Sequence, residues 1–142
     1  MIFMKKVMAF GTFDILHAGH LHYLREAKKH GTWLTVIITN DRNVRKSKGN
    51  FPVNDQHIRK ELVESLKMVD GAVIGDEKDY YKVVEEVKPQ VIALGYDQAE
   101  RKESVEKELR KRGFDIEVVR ITPHKEDVHK SSKIKGRIRK SG

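Results

Sequence analysis

Two histidines stand at the predicted start of a helix, and their type and spacing suit the binding of an anion. They belong to Gly11–His20 (GTFDILHAGH), which follows the apolar run Val7–Phe10 and opens an amphipathic segment. This order predicts a strand, a glycine-bearing turn and a helix start. The first N–H groups of a helix are unpaired and its dipole is positive there, so an anion is favoured. His17 and His20 share one face of that turn, and Gly19 has no side chain to keep a ligand from the backbone. The pattern predicts a phosphate site.

Two other interpretations of the histidine pair remain open on spacing alone. Histidines at i and i+3 could simply help to cap a helix. They could also bind a metal, but they supply only two ligands, and no third cysteine, histidine or carboxylate is spaced to complete a set. The context of a preceding strand and a Gly-Thr-Phe-Asp turn favours the phosphate site.

Length, composition and charge place the chain among small proteins with anionic partners. Its 142 residues predict one domain, 1–142, with a basic tail at about 133–142. It has no cysteine and a net charge of +8, which suits nucleotides, phosphorylated metabolites or nucleic acid. No apolar run is long enough to span a membrane, and the start does not resemble a secretory signal. We therefore expect a cytoplasmic protein with no membrane partner.

Strand-like and helix-like segments alternate along the chain. The predicted strands are Lys5–Phe10, Trp33–Thr39, Ala72–Ile74, Val91–Leu94 and Ile116–Ile121. The predicted helices are Leu21–Lys29, one capped by Asp55 and running to Lys67, Asp79–Val87, Ala99–Arg112, and a last one from Ser131. The helix after Asp55 is expected to bury Ile58, Leu62, Val63 and Leu66, and Asn40–Asn54 is expected to be a loop. The alternation predicts a doubly wound α/β fold, a parallel five-stranded sheet with helices on both faces.

In such a sheet, ligands bind at the carboxyl ends of the strands, where the strand order reverses. The segments that follow the predicted strands should therefore converge on one crevice. These segments are Gly11–His20, Asn40–Lys48, Gly95–Gln98 and Thr122–Ser132.

The GTFD turn followed by HAGH resembles the signature of the cytidylyltransferase-like nucleotidyltransferases, whose hallmark is HxGH. A second element of that family, a Ser/Thr-rich turn before a helix, matches residues 129–134 (HKSSKI). Within the family the chain is similar to the glycerol-3-phosphate cytidylyltransferases and to the archaeal FAD synthases. Residues 95–98 (GYDQ) are closer to the Gly-x-Asp-Gln turn of the FAD synthases. Residues 123–132 depart from the Arg-Thr-Glu-Gly-Ile-Ser-Thr-Thr pattern of the glycerol-phosphate enzymes.

The resemblance implies a Rossmann-like fold and nucleotidyl transfer. An acceptor phosphate attacks the α-phosphorus of a nucleoside triphosphate, and magnesium-bound pyrophosphate leaves. The expected substrates are ATP and FMN, giving FAD. The alternative is CTP with glycerol 3-phosphate or a sugar phosphate. Such a reaction requires alignment and charge neutralisation more than covalent help. A homodimer is expected by analogy with the family.

The resemblance also implies roles for residues near the histidines. His17 and His20 are expected to donate hydrogen bonds to the α- and β-phosphates, best when at least one is protonated. Lys46 is expected to act on the triphosphate as a catalytic residue, and Lys48 to contact a phosphate of either substrate. The backbone expected against the nucleotide comprises Gly11, Thr12, Phe13 and Gly19.

Further positions are ambiguous between the site and structure. Arg59 matches a family position that contacts the acceptor or the phosphates, and its alternative is a surface arginine near Glu61 or Glu64. Asp97 could bind the nucleotide or cap the helix that follows it. Asp14 could orient the metal, although fixing the turn is favoured.

The last part of the chain holds the remaining candidates. Ser131 and Ser132 could contact the triphosphate from a second helix start, and Lys125 could supply charge in the loop before them. The basic tail could instead bind nucleic acid, but it has no interleaved aromatic residues for base stacking. Nucleic acid is therefore the less favoured partner.

Overall fold

The computed structural model describes residues 4–95 and 102–123, which form a parallel sheet with helices on both faces. The strands are β1 Lys6–Gly11, β2 Trp33–Ile38, β3 Gly71–Ile74, β4 Val91–Leu94 and β5 Glu117–Arg120. The helices are α1 Ala18–Lys28, α2 Asp41–Lys48, α3 Gln56–Glu64, α4 Lys82–Val87 and α5 Lys102–Lys111. None of the helices in these described ranges is long and apolar enough to cross a membrane.

The sheet order is β3-β2-β1-β4-β5, and every neighbouring pair is parallel. The chain builds outward from β1 to β3, then crosses over to β4 on the other side of β1. The strand order therefore reverses between β1 and β4, and their carboxyl ends border the ligand crevice that such folds use. The doubly wound α/β fold predicted from the sequence is confirmed.

Two apolar clusters cover the two faces of the sheet, because successive strand residues point to opposite sides. On β1, Val7 and Ala9 pack in the cluster that includes residues of α1 and α3. Met8 and Phe10 pack in the cluster that includes residues of α4 and α5. The continuous apolar runs of the inner strands thus reflect burial on both faces.

Helix α2 lies where a loop was predicted, and that prediction was wrong. The helix is strongly polar (DRNVRKSK) and buries only Val44, so no apolar period indicates it. Its ends are nevertheless well specified. The Asn40 side chain accepts the N–H of Asn43 at 2.8 Å, and Gly49 ends the helix in the left-handed conformation at φ 83°.

The buried face of α3 differs in part from the prediction. Asp55 does cap this helix, through bonds from the N–H groups of His57 and Ile58. However, Ile58 and Leu62 are 45% and 42% exposed, whereas Arg59 and Val63 are fully buried. Val63 and Leu66 do pack in the core as predicted, and only Ile58 and Leu62 were placed wrongly. An arginine is rarely a core residue unless its charge is paired, so the pattern of apolar residues did not indicate Arg59.

Three other helix boundaries shift by a few residues. Helix α1 begins at Ala18 and not at Leu21, so it includes the last three residues of the HAGH motif, with His17 as its N-cap. Helix α3 ends at Glu64, earlier than predicted, and α4 begins at Lys82 after a turn held by Asp76 and Asp79. The start of the predicted helix Ala99–Arg112 and the whole helix from Ser131 lie outside the described residues.

Candidate active site

The turn after β1 has a conformation that its glycine makes possible. Phe13 has φ 53°, an uncommon value for a bulky residue, and its side chain is buried. Its ring folds back over Gly11, where a Cβ atom would lie 2.6 Å from the ring. The space at Gly11 is therefore filled by Phe13, and not left open for a ligand as the sequence suggested. Backbone strain of this kind is concentrated at functional turns.

His17 and His20 cap helix α1 with their ring nitrogens. The Nδ1 atom of His17 accepts the N–H of Gly19 at 3.0 Å, and the Nδ1 atom of His20 accepts the N–H of His17 at 3.3 Å. The two rings stack with centroids 3.8 Å apart, and the Phe13 ring packs edge-on against His20 at 5.1 Å. The helix cap thus involves the Nδ1 atoms, whereas a phosphate contact would involve the Nε2 atoms of the same rings.

The capping bonds decide where each neutral imidazole carries its proton. Because both Nδ1 atoms accept backbone N–H groups, the proton must lie on Nε2, which then is the donor. Burial, and to a smaller extent electrostatic interaction with His17 and Lys48, lowers the pKa of His20 to about 4. The expectation that donation works best with a protonated imidazole is therefore not supported for His20. Neutral His20 already presents an Nε2–H donor.

The lowered pKa of His20 should make stability depend on pH. In the unfolded chain His20 takes up a proton near pH 6.5, whereas the folded chain resists protonation down to about pH 4. The unfolded state therefore binds more protons in that window, and stability is full above pH 6.5 and is lost as the pH falls toward 4. We expect a loss on the order of 2–3 kcal/mol relative to His20→Gln, which does not titrate. Urea unfolding of both proteins at a series of pH values measures it, and parallel curves would contradict the shift.

Helix α2 places one of the two predicted lysines within electrostatic range of His20. Lys48 is the last residue of α2, and its charge is one of the causes that lower the pKa of His20. Lys46 instead contacts Glu77, with Nζ 4.0 Å from Oε1, and Arg42 reaches the same carboxylate at 3.3 Å. Lys48 is thus within electrostatic range of His20, whereas Lys46 lies beside an acid.

Replacing each of these two lysines by alanine should lower the catalytic efficiency to different extents. A charged hydrogen bond to a phosphate contributes about 1.5–3 kcal/mol, so Lys48→Ala should lower kcat/KM at least about tenfold. Lys46→Ala, a matched loss of one positive charge on the same helix, should stay within about threefold. Steady-state kinetics with varied nucleotide provide the comparison. The assignment is wrong if Lys46→Ala is the more damaging change.

Arg59 is the buried centre that joins the loops around the site. Its guanidinium donates to the carbonyls of Asn54 at 2.9 Å, Thr12 at 2.8 Å and Thr39 at 2.8 Å. It also donates to the Asp41 carboxylate at 2.7 Å. With no exposed surface, its side chain is neither the surface arginine nor the phosphate contact that the sequence suggested. It ties the turn after β1, the end of β2 and the start of α2 into one unit.

Asp14 ties a third segment to the same turn. Its carboxylate accepts the N–H groups of Val53 at 2.9 Å and Asn54 at 2.8 Å, and its carbonyl accepts from the Asn54 side chain. Asp14 is buried, and both of its carboxylate oxygens are used by these bonds. This geometry supports the structural role that the sequence favoured. Across residues 4–95 and 102–123, no group of three His, Cys, Asp or Glu side chains is placed to hold a metal ion.

Tyr23 shapes the crevice between β1 and β4 and was missed in the sequence. Its hydroxyl accepts the N–H of Phe10 at 3.1 Å and donates to the carbonyl of Ala93 at 2.6 Å. Since β1 and β4 pair only as far as Ala9 and Ala93, the hydroxyl lies between the strands at the next step of the ladder. In sequence, Tyr23 looks like one more residue on the inner face of α1, and no local signal distinguishes it.

The other predicted loops are only partly described. His22 donates from Nε2 to the carbonyl of Thr122 at 2.9 Å, so the segment after β5 starts beside α1. The remaining candidates, Asp97, Lys125, Ser131 and Ser132, lie outside the described residues. Their assignment to the site stays a prediction.

Fold and site together define an α/β nucleotide-binding protein of the HxGH type. A family model described as "Cytidylyltransferase-like" matches residues 8–137. The chain belongs to this family.

Similar proteins agree with that membership. An FAD synthase of Ferroglobus placidus is 50% identical over 93% of this chain and 85% of its own length. An FAD synthase of Thermoplasma volcanium is 42% identical over 95% of this chain and 94% of its own length. A solved structure described as a lipopolysaccharide core biosynthesis protein from Thermoplasma volcanium is 44% identical, with a TM-score of 0.81 over 85% of this chain and 98% of that chain.

Proposed function

We propose that this chain is an FAD synthase that transfers the adenylyl group of ATP to FMN and releases pyrophosphate. The observation that carries the proposal is the pair of Nε2–H donors at the start of α1, in a chain 42–50% identical to proteins named FAD synthase. In the reaction, an oxygen of the FMN phosphate forms a bond to the α-phosphorus. The bond from that phosphorus to the bridging oxygen breaks, and pyrophosphate leaves.

The residues of the site would act by positioning and by neutralising charge. His17 and His20 would donate from Nε2 to the α- and β-phosphates, where negative charge grows as the leaving group departs. Lys48 would add a positive charge beside them. Because the pKa of His20 is lowered to about 4 and its tautomer is set by the backbone, donation from its Nε2 atom needs no protonation step. Preorganised donors of this kind cost little reorganisation during the reaction.

We propose that magnesium arrives on the triphosphate and is not held by a protein cage. The family resemblance implies the ion, and the carboxylate of Asp14 is already engaged by two backbone N–H groups. When bound to the pyrophosphate oxygens, the ion would neutralise charge on the leaving group. The roles of the histidines and Lys48 do not depend on how the ion is held.

An assay over a matrix of substrates tests the proposal. ATP or CTP would be paired with FMN, glycerol 3-phosphate or a sugar phosphate, and FAD and pyrophosphate would be measured separately. We expect FAD and pyrophosphate in equal amounts from ATP with FMN only. Pyrophosphate from CTP with glycerol 3-phosphate would instead establish the cytidylyltransferase alternative. Tight, salt-sensitive binding of RNA without turnover of any pair would favour the nucleic-acid alternative.

We further propose that the chain forms a homodimer through the outer face of α3. Ile58 and Leu62, at i and i+4, form an exposed apolar stripe, and Val53 in the preceding loop is 75% exposed. Exposed apolar side chains that lie together mark interaction surfaces. Sedimentation of the wild type should show a dimer, and Leu62→Glu should show a monomer. A wild type that sediments as a monomer at all concentrations would contradict this arrangement.

A further inference from the structure

Tyr80 is an exposed aromatic residue at the rim of the ligand crevice. It lies in the segment between β3 and α4, which leaves the carboxyl end of β3, and it is 40% exposed. Its ring stacks on the ring of Phe10, with centroids 4.8 Å apart and planes 23° apart. Phe10 directly precedes Gly11, so the Tyr80 ring stands at the end of β1. The histidines lie beyond the same strand end.

The ring of Tyr80 is held in place by a row of aromatic contacts. Phe10, beneath it, is a core residue with 6% of its surface exposed. Tyr81 packs edge-on against Tyr80 at 5.0 Å, and the Arg112 guanidinium covers the Tyr81 ring at 4.7 Å. An aromatic ring whose orientation is fixed before binding loses little entropy when a ligand stacks on it. Tyr80 is thus a preorganised surface for a planar group.

Tyr80 and the histidines lie on opposite sides of the crevice. Phe10 belongs to the cluster that includes α4 and α5, so Tyr80 lines the crevice from the α4 side, whereas α1 with its histidines packs on the opposite face of the sheet. The segment that carries Tyr80 also contributes Asp76 and Glu77 to a cavity of about 370 Å³ at the ends of β2 and β3, although neither Tyr80 nor the two histidines line it. That volume is within the range of small-molecule sites. The segment after β3 thus borders open space on the side of the crevice away from β5.

We infer that Tyr80 stacks against the isoalloxazine ring of the acceptor and selects a flavin over a ring-free phosphate. This inference rests on the proposed function. Stacking on an aromatic side chain favours any planar heterocycle, and by alanine substitution contributes the equivalent of about one order of magnitude in affinity or more. A glycerol or sugar phosphate has no planar ring, so it gains nothing from this contact. Tyr80 would thereby act on the choice of acceptor and leave the chemistry to the histidines.

The test is a titration of FMN, followed by its fluorescence, against the wild type and three variants of Tyr80. Tyr80→Leu keeps apolar packing on Phe10 without an aromatic face, Tyr80→Ala removes the side chain, and Tyr80→Phe restores a ring. We expect Tyr80→Leu and Tyr80→Ala to weaken FMN binding at least about tenfold, equal to about 1.4 kcal/mol. Tyr80→Phe should stay within about threefold, and ATP affinity should change by less than about threefold in all of them. Phe51→Ala is the matched control, since Phe51 is the other strongly exposed aromatic residue in the described ranges.

Each outcome separates the inference from the proposed function. If Tyr80→Leu binds FMN as tightly as the wild type does, and still makes FAD, the inferred role of Tyr80 is overturned and the proposed function stands. Weaker ATP binding with unchanged FMN binding assigns the ring to adenine and also overturns it. A wild type that forms no FAD and binds no FMN overturns both. Thermal unfolding of Tyr80→Leu, with a melting curve like that of the wild type, excludes misfolding as the cause of weak binding.

Discussion

Replacing His17 or His20 by Ala should lower kcat for FAD formation about 10²-fold or more. Each imidazole presents an Nε2–H donor whose tautomer is set by a backbone N–H bonded to its Nδ1 atom. Donors aimed at developing charge contribute more in the transition state than in the ground state, so the loss should appear in kcat more than in KM. Single-turnover and steady-state kinetics with ATP and FMN measure it. His57→Ala, at an exposed position of α3, should leave the rate within about twofold.

The capping function of His17 can be separated from its expected phosphate contact. His17→Ala removes the acceptor for the Gly19 N–H and should cost about 1 kcal/mol of stability in addition to the rate. Asn is a good N-cap residue, so His17→Asn should recover that stability while its short side chain leaves the distal donor missing. Unfolding free energies and rates of the three proteins give the comparison. If His17→Asn recovers the rate along with the stability, or if the Ala variants lose less than about threefold, the histidines serve only the helix.

Replacing Arg59 should have the largest effect on stability. Its guanidinium is fully buried and bonds three backbone carbonyls and the Asp41 carboxylate. Arg59→Met would leave three backbone carbonyls and the partly exposed Asp41 carboxylate without their donor. An unsatisfied buried acceptor costs about 1–3 kcal/mol, so we expect a total loss of about 3–5 kcal/mol. Arg59→Lys should recover little, because an ammonium cannot reproduce the planar set of donors. Urea denaturation reports the change.

A neighbouring residue serves as the control for Arg59. Lys60 is on the same helix and pairs with Glu64 at its surface. Since exposed i,i+4 pairs contribute little, Lys60→Met should change the unfolding free energy by less than about 0.5 kcal/mol. A loss below about 1 kcal/mol for Arg59→Met would show that the network around Arg59 is not what holds the loops together.

The sheet and most of its helices could be predicted because their signals are local. The apolar runs of β1, β2 and β4 reflect strands covered on both faces, and the cap at Asp55 indicates the start of α3. Helix α2 was missed because one buried valine in eight residues leaves no apolar period. Its capping residues, Asn40 and Gly49, were the available signal. In the sequence, this capping signal was outweighed by the polarity of the segment between the two residues, which favoured a loop.

By itself, the sequence determined the class of protein: alternating elements that form a doubly wound sheet, and a GTFD–HAGH turn that belongs to the cytidylyltransferase-like family. Only the tertiary structure showed that Arg59 is internal, because its acceptors Thr12 and Thr39 lie 47 and 20 residues away along the chain. It likewise separated Lys48 from Lys46, two residues apart on one helix, and placed the Tyr80 ring on Phe10. Periodicity and capping depend on neighbours within a few residues. The burial of a charge, and the partner that it meets there, depend on groups that only folding brings together.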